Sequence, residues 1–155
     1  MKKILVLACT ATFLFSFSQK KMNPAEYKSS PKVFDIKGLS QSVSIDCGNS
    51  RMILLSGQVP LDPEGKLVGN TIEEQTQQVF RNIENILNEY GATGKDIIKM
   101  VIYTTDIKKT PEFRKVRNLY INLQNPPVSS LVEVSRLFRD DVLIEVEATA
   151  VIKNK

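Results

Sequence analysis

The most regular alternation of apolar and polar positions lies near the C-terminal end of the chain. Val142, Ile144, Val146, Ala148 and Ala150 share one side of an extended segment, and Leu143, Glu145, Glu147, Thr149 and Val151 share the other. The spacing predicts a strand with one apolar face. Its second face carries two carboxylates about 7 Å apart along the strand, in surroundings too apolar for a plain surface edge. A half-buried glutamate in such a place is either paired with a cation, here Arg136 or Arg139, or kept for chemistry.

Upstream, Val43, Ile45 and Cys47 alternate with polar residues, Gly48 and Asn49 offer turn chemistry, and Met52 to Leu55 is a continuous apolar run. Together they predict a hairpin whose second strand is central, ended by Ser56-Gly57-Gln58 and followed by a loop from Pro60 to Gly69. Ile72, Thr76, Val79, Ile83, Ile86 and Tyr90 recur at alternating spacings of four and three, which predicts a helix over 71–90. Asn70 with Glu73, or Thr71 with Glu74, supplies a capping box at its start, and Gly91 suits the position past its end. A strand follows at Ile97 to Asp106. Thr110 as cap, Pro111 as first helical residue, and Phe113, Val116, Tyr120 and Leu123 on one face define a second helix, which Pro126 and Pro127 end. Two strands within 127–152 complete the domain.

A short strand at Lys32 to Lys37 is expected to open this domain, behind a flexible leader from Gln19 to Pro31 that lacks apolar periodicity. The predicted order, ββ(β)αβαββ, contains two helical crossovers, and their right-handedness puts both helices on one face of the sheet. Leu131, Leu143 and Val151 are too apolar to leave the other face in water, so packing alone predicts a partner subunit there.

At 155 residues the chain is long enough for one domain and too short for two. Its first 18 residues stand apart: Lys2 and Lys3 form a basic start, Ile4 to Phe15 an apolar run, and Ser16-Phe17-Ser18 a small-residue cleavage site. That pattern predicts a signal peptide over 1–18, a leader over 19–31, a domain over 32–155, and a periplasmic or secreted product. The apolar run is shorter than a membrane span, so no membrane attachment is expected after cleavage. Cys9 lies near the start of the run instead of its end, which argues against a lipid anchor there.

Removal of Lys2 and Lys3 lowers the net charge from +4 to +2, and no basic stripe of the kind that binds nucleic acid is visible. Lys108, Lys109, Arg114, Lys115 and Arg117 do cluster, as a solvated helix face. Cys47 is left as the only cysteine, which excludes an intramolecular disulfide. The chain has no histidine, which excludes Ser-His and Cys-His pairs and histidine-ligated zinc. Acid–base work falls to carboxylates, lysine or tyrosine.

The run EVSRL, the EVEA that follows it, and the upstream LLSGQVPLDPEGKLVG with its amphipathic helix resemble the RidA/YjgF family of reactive-intermediate deaminases over roughly Phe34 to Ile152. The resemblance implies an α+β, chorismate-mutase-like fold, a mixed sheet with two helices on one face, assembled as a homotrimer with small-molecule sites between subunits. It implies hydrolysis of 2-imino or 2-enamino acids to 2-keto acids and ammonia, with no metal or organic cofactor. The resemblance further implies an arginine that clamps the substrate carboxylate, a glutamate that positions or activates water, and a tyrosine from the neighbouring subunit that walls the pocket.

Glu145 falls at the position of that glutamate, although the preceding Phe138-Arg139-Asp140-Asp141 makes the loop one residue longer. Ser56 matches a pocket serine, and Gly57 beside it is read as a backbone requirement. Other positions depart from the family pattern. The typical PARSxVEV reads Pro127-Val128-Ser129-Ser130-Leu131-Val132-Glu133-Val134, which puts Ser129 where the arginine belongs and Leu131 beside it as an apolar contact. Leu39 replaces the pocket tyrosine, and Arg117 stands where the second helix usually offers asparagine. Either Arg117 restores the lost positive charge from a new place, or the pocket serves a more neutral ligand, with Leu39 as wall and Ser129 as a single hydrogen-bond donor.

The reading is an exported RidA-like protein that hydrolyses imines or enamines. Its alternative is a trimeric small-ligand-binding protein without catalysis. An endoribonuclease or translation inhibitor ranks third, because the chain lacks histidine and a basic stripe.

Overall fold

The computed structural model describes residues 25–154. The predicted signal segment with its cleavage site and Cys9, and residues 19–24 of the predicted leader, lie outside the described residues. One mixed sheet of six strands runs in the order β1-β2-β3-β6-β4-β5. Its strands are β1 (Ala25–Lys28), β2 (Ser42–Asp46), β3 (Ser50–Gln58), β4 (Ile97–Thr104), β5 (Val128–Glu133) and β6 (Ile144–Lys153). Helices α1 (Ile72–Asn88) and α2 (Thr110–Tyr120) make the two crossovers, β3 to β4 and β4 to β5.

The alternation in β6 is what its position requires. It lies antiparallel to β3 on one side and to β4 on the other, so β3 and β4 run parallel with β6 between them. Ile144, Val146, Ala148 and Ala150 are buried, and they meet Ile53 and Leu55 of β3, Met100 and Ile102 of β4, Val79, Phe80 and Ile83 of α1 and Phe113 of α2 in one core. Each large side chain buried there contributes on the order of 1.5–3 kcal/mol. Phe80 also stacks on Tyr120 at a centroid distance of 5.0 Å, which ties α1 to α2.

Helix α1 begins with the Thr71–Glu74 capping box. Thr71 Oγ1 accepts from the Glu74 amide at 3.3 Å, and the Glu74 carboxylate accepts from the amides of Thr71 and Asn70. The amide of Asn70 and then that of Thr71 hold the Glu74 carboxyl below its usual range. The start of α2 differs from expectation. Asp106 caps a 3₁₀ turn over Ile107–Lys109, and Thr110 is already helical, its hydroxyl donating to the Ile107 carbonyl. An aspartate just past a strand end satisfies the first free amides earlier than the threonine can.

The N-terminal part of the domain also departs from the predicted pattern. Ala25–Lys28, placed in the predicted leader, is an edge strand paired with β2, while Lys32 to Lys37 forms turns. The pairing is made by the backbone, by the Ser42 hydroxyl donating to the Lys28 carbonyl, and by an Arg51–Glu26 ion pair of 2.8 Å. None of these leaves an apolar period in the sequence. Leu131 and Leu143, predicted on the uncovered face, pack against the helix-covered core instead. The parallel register sets Leu131 beside the buried Ile102. The uncovered face is lined by Val43 of β2, Met52 and Leu54 of β3, Val101 and Tyr103 of β4 and Val151 of β6.

Candidate functional site

At the start of β6, on this uncovered face, Glu145 turns its carboxyl toward the end of β3. The β3–β6 register slips there: Leu55 pairs with Ala148 and Gln58 with Val146, which leaves one extra residue at Ser56–Gly57. Gly57 supplies the room for Glu145. A Cβ at Gly57 would overlap Oε1 of Glu145. Gly57 does not have a positive φ, so the requirement is space for the carboxyl, and the backbone reading of this glycine is corrected.

The carboxyl opens on a recess of about 420 Å³, whose walls include Leu39, Ser40, Ser56, Gly57 and Glu147. Behind Leu39, Ser56 and Gly57 lies a smaller cavity of about 30 Å³, room for a water molecule. The Ser56 hydroxyl donates to the Ser40 carbonyl at 2.6 Å and so fastens the Leu39 loop to the bulge.

Three buried amides that periodicity does not single out hold the loops around this recess. Gln41 accepts from the Ser30 amide at 2.8 Å and donates to the Val33 carbonyl, fixing the chain before Leu39. Asn82 of α1 donates to the carbonyls of Val59 and Leu61 at 3.0 and 2.9 Å, fixing the chain after Gln58. Gln75 of α1 donates to the Asp141 carbonyl and accepts from the Leu143 amide, both at 2.8 Å, fixing the loop that delivers Glu145. The signal was present as polar residues inside apolar surroundings. Gln75 stands next to Thr76 and three residues after Ile72, on the face that α1 buries.

No lysine or arginine pairs with Glu145 among the described residues. Arg139, one of the two cations that offered a plain structural role, is held by Asp141 through bonds of 2.9 and 2.6 Å. Burial, and secondarily the charge of Glu147, push the Glu145 carboxyl above its usual range. Tyr103 of β4 stands directly opposite Glu145, and its hydroxyl donates to Glu147 at 3.3 Å. The two glutamates raise the Tyr103 hydroxyl as well, Glu147 most. Among the described residues no cluster of three or more acidic or cysteine side chains is arranged to hold a metal ion.

Within one chain the expected site residues do not all come together. Glu145, Ser56 and Leu39 share the recess, whereas Ser129, Leu131 and Arg117 do not line it. Ser129 is exposed on the edge strand β5, in register with Met100, and Leu131 packs inward two residues on. Arg117 belongs to α2, on the helical side of the sheet. Its guanidinium donates to Asn118 at 3.1 and 2.7 Å and lies 6.0 Å from the Phe113 ring centroid. Partial burial, then the neighbouring Arg114, lowers its proton affinity.

The sheet with its central antiparallel β6, two helices on one face and a carboxyl over a bulge glycine defines a class of small α+β proteins, and the comparisons name it. The family model described as Endoribonuclease L-PSP matches residues 35–152. The chain is 42% identical over 110 residues to a RutC family protein of Pyrococcus abyssi, covering 70% of this chain and 84% of that one. A putative endoribonuclease of Thermotoga maritima superposes with a TM-score of 0.70 at 36% identity, over 83% of this chain and 97% of that one. RidA of the Antarctic bacterium Psychrobacter sp. PAMC 21119 gives 0.71 at 26% identity, over 82% and 99%. This chain belongs to the RidA/YjgF (endoribonuclease L-PSP) family.

Proposed function

We propose that this protein is a cofactor-independent hydrolase of C=N compounds, working in a pocket that a second copy of the chain completes. The observation that carries the reading is Glu145: a half-buried carboxyl with no cation paired to it among the described residues, beside a recess, on the scaffold of a family that includes RidA. In the reaction the carboxyl gives its proton to the imine nitrogen. The resulting carboxylate then takes a proton from water as the water oxygen bonds to carbon, forming a carbinolamine. A second proton from Glu145 goes to nitrogen, the C–N bond breaks to release ammonia, and the carbinolamine hydroxyl returns its proton to Glu145 as the carbonyl forms. Water is the only reagent consumed, and one carboxyl serves both as acid and as base.

The uncovered face of the sheet supports assembly. Val43, Met52, Leu54, Val101 and Val151 form an apolar stripe across four strands on the side without helices, and a homotrimer, as the family resemblance implies, would bury it. Such packing would bring β5 of one copy, with Ser129 in place of the expected arginine, toward the recess of the next. Ser129 would then offer one hydrogen bond and no charge. Residues 1–18 support export of the product.

Decay of imines generated in situ tests the reading, followed in the purified protein and in Glu145→Gln. Acceleration that falls by about 10² to 10⁴ in the variant is expected. Equal rates with and without protein, together with saturable binding of a small ligand, would leave the non-catalytic binding reading, which the aliphatic wall of Leu39 and Leu54 favours. An RNA substrate would have to set its phosphates against Glu145 and Glu147, which disfavours a nuclease role.

A further inference from the structure

The walls of the recess carry a charge pattern that bears on which C=N compounds it admits. Glu145 and Glu147 both line it, and the remaining polar groups on its wall are hydroxyls, those of Tyr27, Ser40, Ser42 and Ser56. Among the described residues no lysine or arginine lines it. On β4 the facing group is Tyr103, whose hydroxyl donates to Glu147 and so holds that carboxylate in place. β3 contributes the neutral Ser56 and Gly57, and the loop before β2 contributes Leu39 and Ser40. The nearest register cation on this face, Lys99, stands opposite Thr149, one pair beyond the Val101–Glu147 pair.

Three further cations near the sheet are held by other groups. Arg51 pairs with Glu26, Lys28 bonds the Glu89 carbonyl, and Arg117 is folded onto Asn118 and Phe113. A carboxylate-bearing substrate entering this recess would meet negative charge without a counter-ion among this chain's described lining residues, at a distance where a unit charge alters affinity by about tenfold to a hundredfold. A protonated imine would meet the opposite: a carboxylate held by Tyr103 to balance its charge.

Resting on the reading of the site as an imine hydrolase, we propose that the recess selects neutral or positively charged C=N compounds that lack a carboxylate, with Glu147 as the residue that sets this specificity. The overall conversion is an aldimine or ketimine plus water to an aldehyde or ketone plus ammonia, by the proton transfers through Glu145 given above. Tyr103 acts through Glu147 and is a positioning residue.

Two probes with the same isobutyl side chain separate the charge classes: 3-methylbutylammonium and 4-methyl-2-oxopentanoate, with binding to the full protein followed by calorimetry. The ammonium should bind at least about tenfold more tightly. Glu147→Gln should lose most of that preference, and Glu147→Asp, which keeps the charge, should retain it. Equal or tighter binding of the keto acid overturns the proposal, as does failure of the ammonium to bind at millimolar concentration, or a preference unchanged in Glu147→Gln.

A parallel arm compares hydrolysis of the two matching imines, made in situ from 3-methylbutylamine and from leucine by the corresponding oxidases. Faster turnover of the leucine-derived 2-imino acid would overturn the charge selection while leaving the hydrolase reading intact. Ammonium preference with no acceleration of either imine would do the reverse.

Discussion

Glu145 lies across the backbone of Gly57 so closely that its carboxyl fills the space a side chain at Gly57 would need. The contact crosses from β6 to the bulge of β3, and it fixes where the carboxyl sits. Gly57→Ala is therefore expected to displace Glu145 without unfolding the sheet, since Gly57 does not have a positive φ. Imine hydrolysis should fall by at least about tenfold, because a shift of an ångström in a reacting group is costly. Circular dichroism should be unchanged. The double variant Gly57→Ala, Glu145→Ala should be no slower than Glu145→Ala alone; an additive loss would show that Gly57 acts independently of the carboxyl.

Gln75→Leu should destabilise the protein by about 2–4 kcal/mol in urea unfolding, since it strips the partners from the Leu143 amide and the Asp141 carbonyl in a buried setting. The segment it frees leads directly into Glu145. Hydrogen exchange at Leu143 should accelerate more than in the β2–β3 hairpin. Uniform acceleration would mean that Gln75 supports the whole core and not this loop.

The stability of the protein should depend on pH through Glu145 in a direction opposite to that of most carboxylates. Its carboxyl is raised above the ordinary value of 4.5, so the folded state holds the proton more tightly than the unfolded chain. The resulting stabilisation is complete below the unfolded value and is lost as pH rises through the folded one. Glu145→Gln has no such loss. The variant should gain on the parent as pH rises above the ordinary value of 4.5, by less than about 1 kcal/mol because the group keeps contact with solvent. Urea titrations at one fixed protein concentration check this, and parallel pH curves for the two proteins would refute it.

Leu54→Arg places a charge in the apolar stripe on the uncovered face, away from the core residues Ile53 and Leu55 that flank it in sequence. If a partner subunit covers that stripe, light scattering should show a change to smaller species with secondary structure retained. An unchanged mass would place the subunit contact elsewhere.

The framework of the fold was legible because burial on one face imposes a period. The alternation from Val142 to Ala150, the 4–3 spacing of α1 and the Thr71–Glu74 box all reappear in the structure. What stayed hidden was held by backbone or amide bonds, which impose none: the edge strand Ala25–Lys28, the Asp106 cap, and the clamps made by Gln41, Gln75 and Asn82. Leu131 and Leu143 were predicted on the uncovered face because strand parity was carried across positions outside regular pairing or beside a different neighbour. For the site, the sequence pointed to Glu145 and its company of Ser56 and Leu39. It gave no means of seeing that Gly57 serves by absence of a side chain, or that Tyr103 reaches across to Glu147.

The placement of β6 has a consequence for how the chain is made. β3 and β4 are finished early in synthesis, yet the strand that joins them is encoded after every one of its partners. Until Ile144–Lys153 leaves the ribosome, both strands keep an open edge, and α1 covers a sheet with a gap at its centre. The nascent polypeptide thus lacks its central strand while both helices and the five other strands are already made, and the sheet closes only when the last-encoded of its strands arrives.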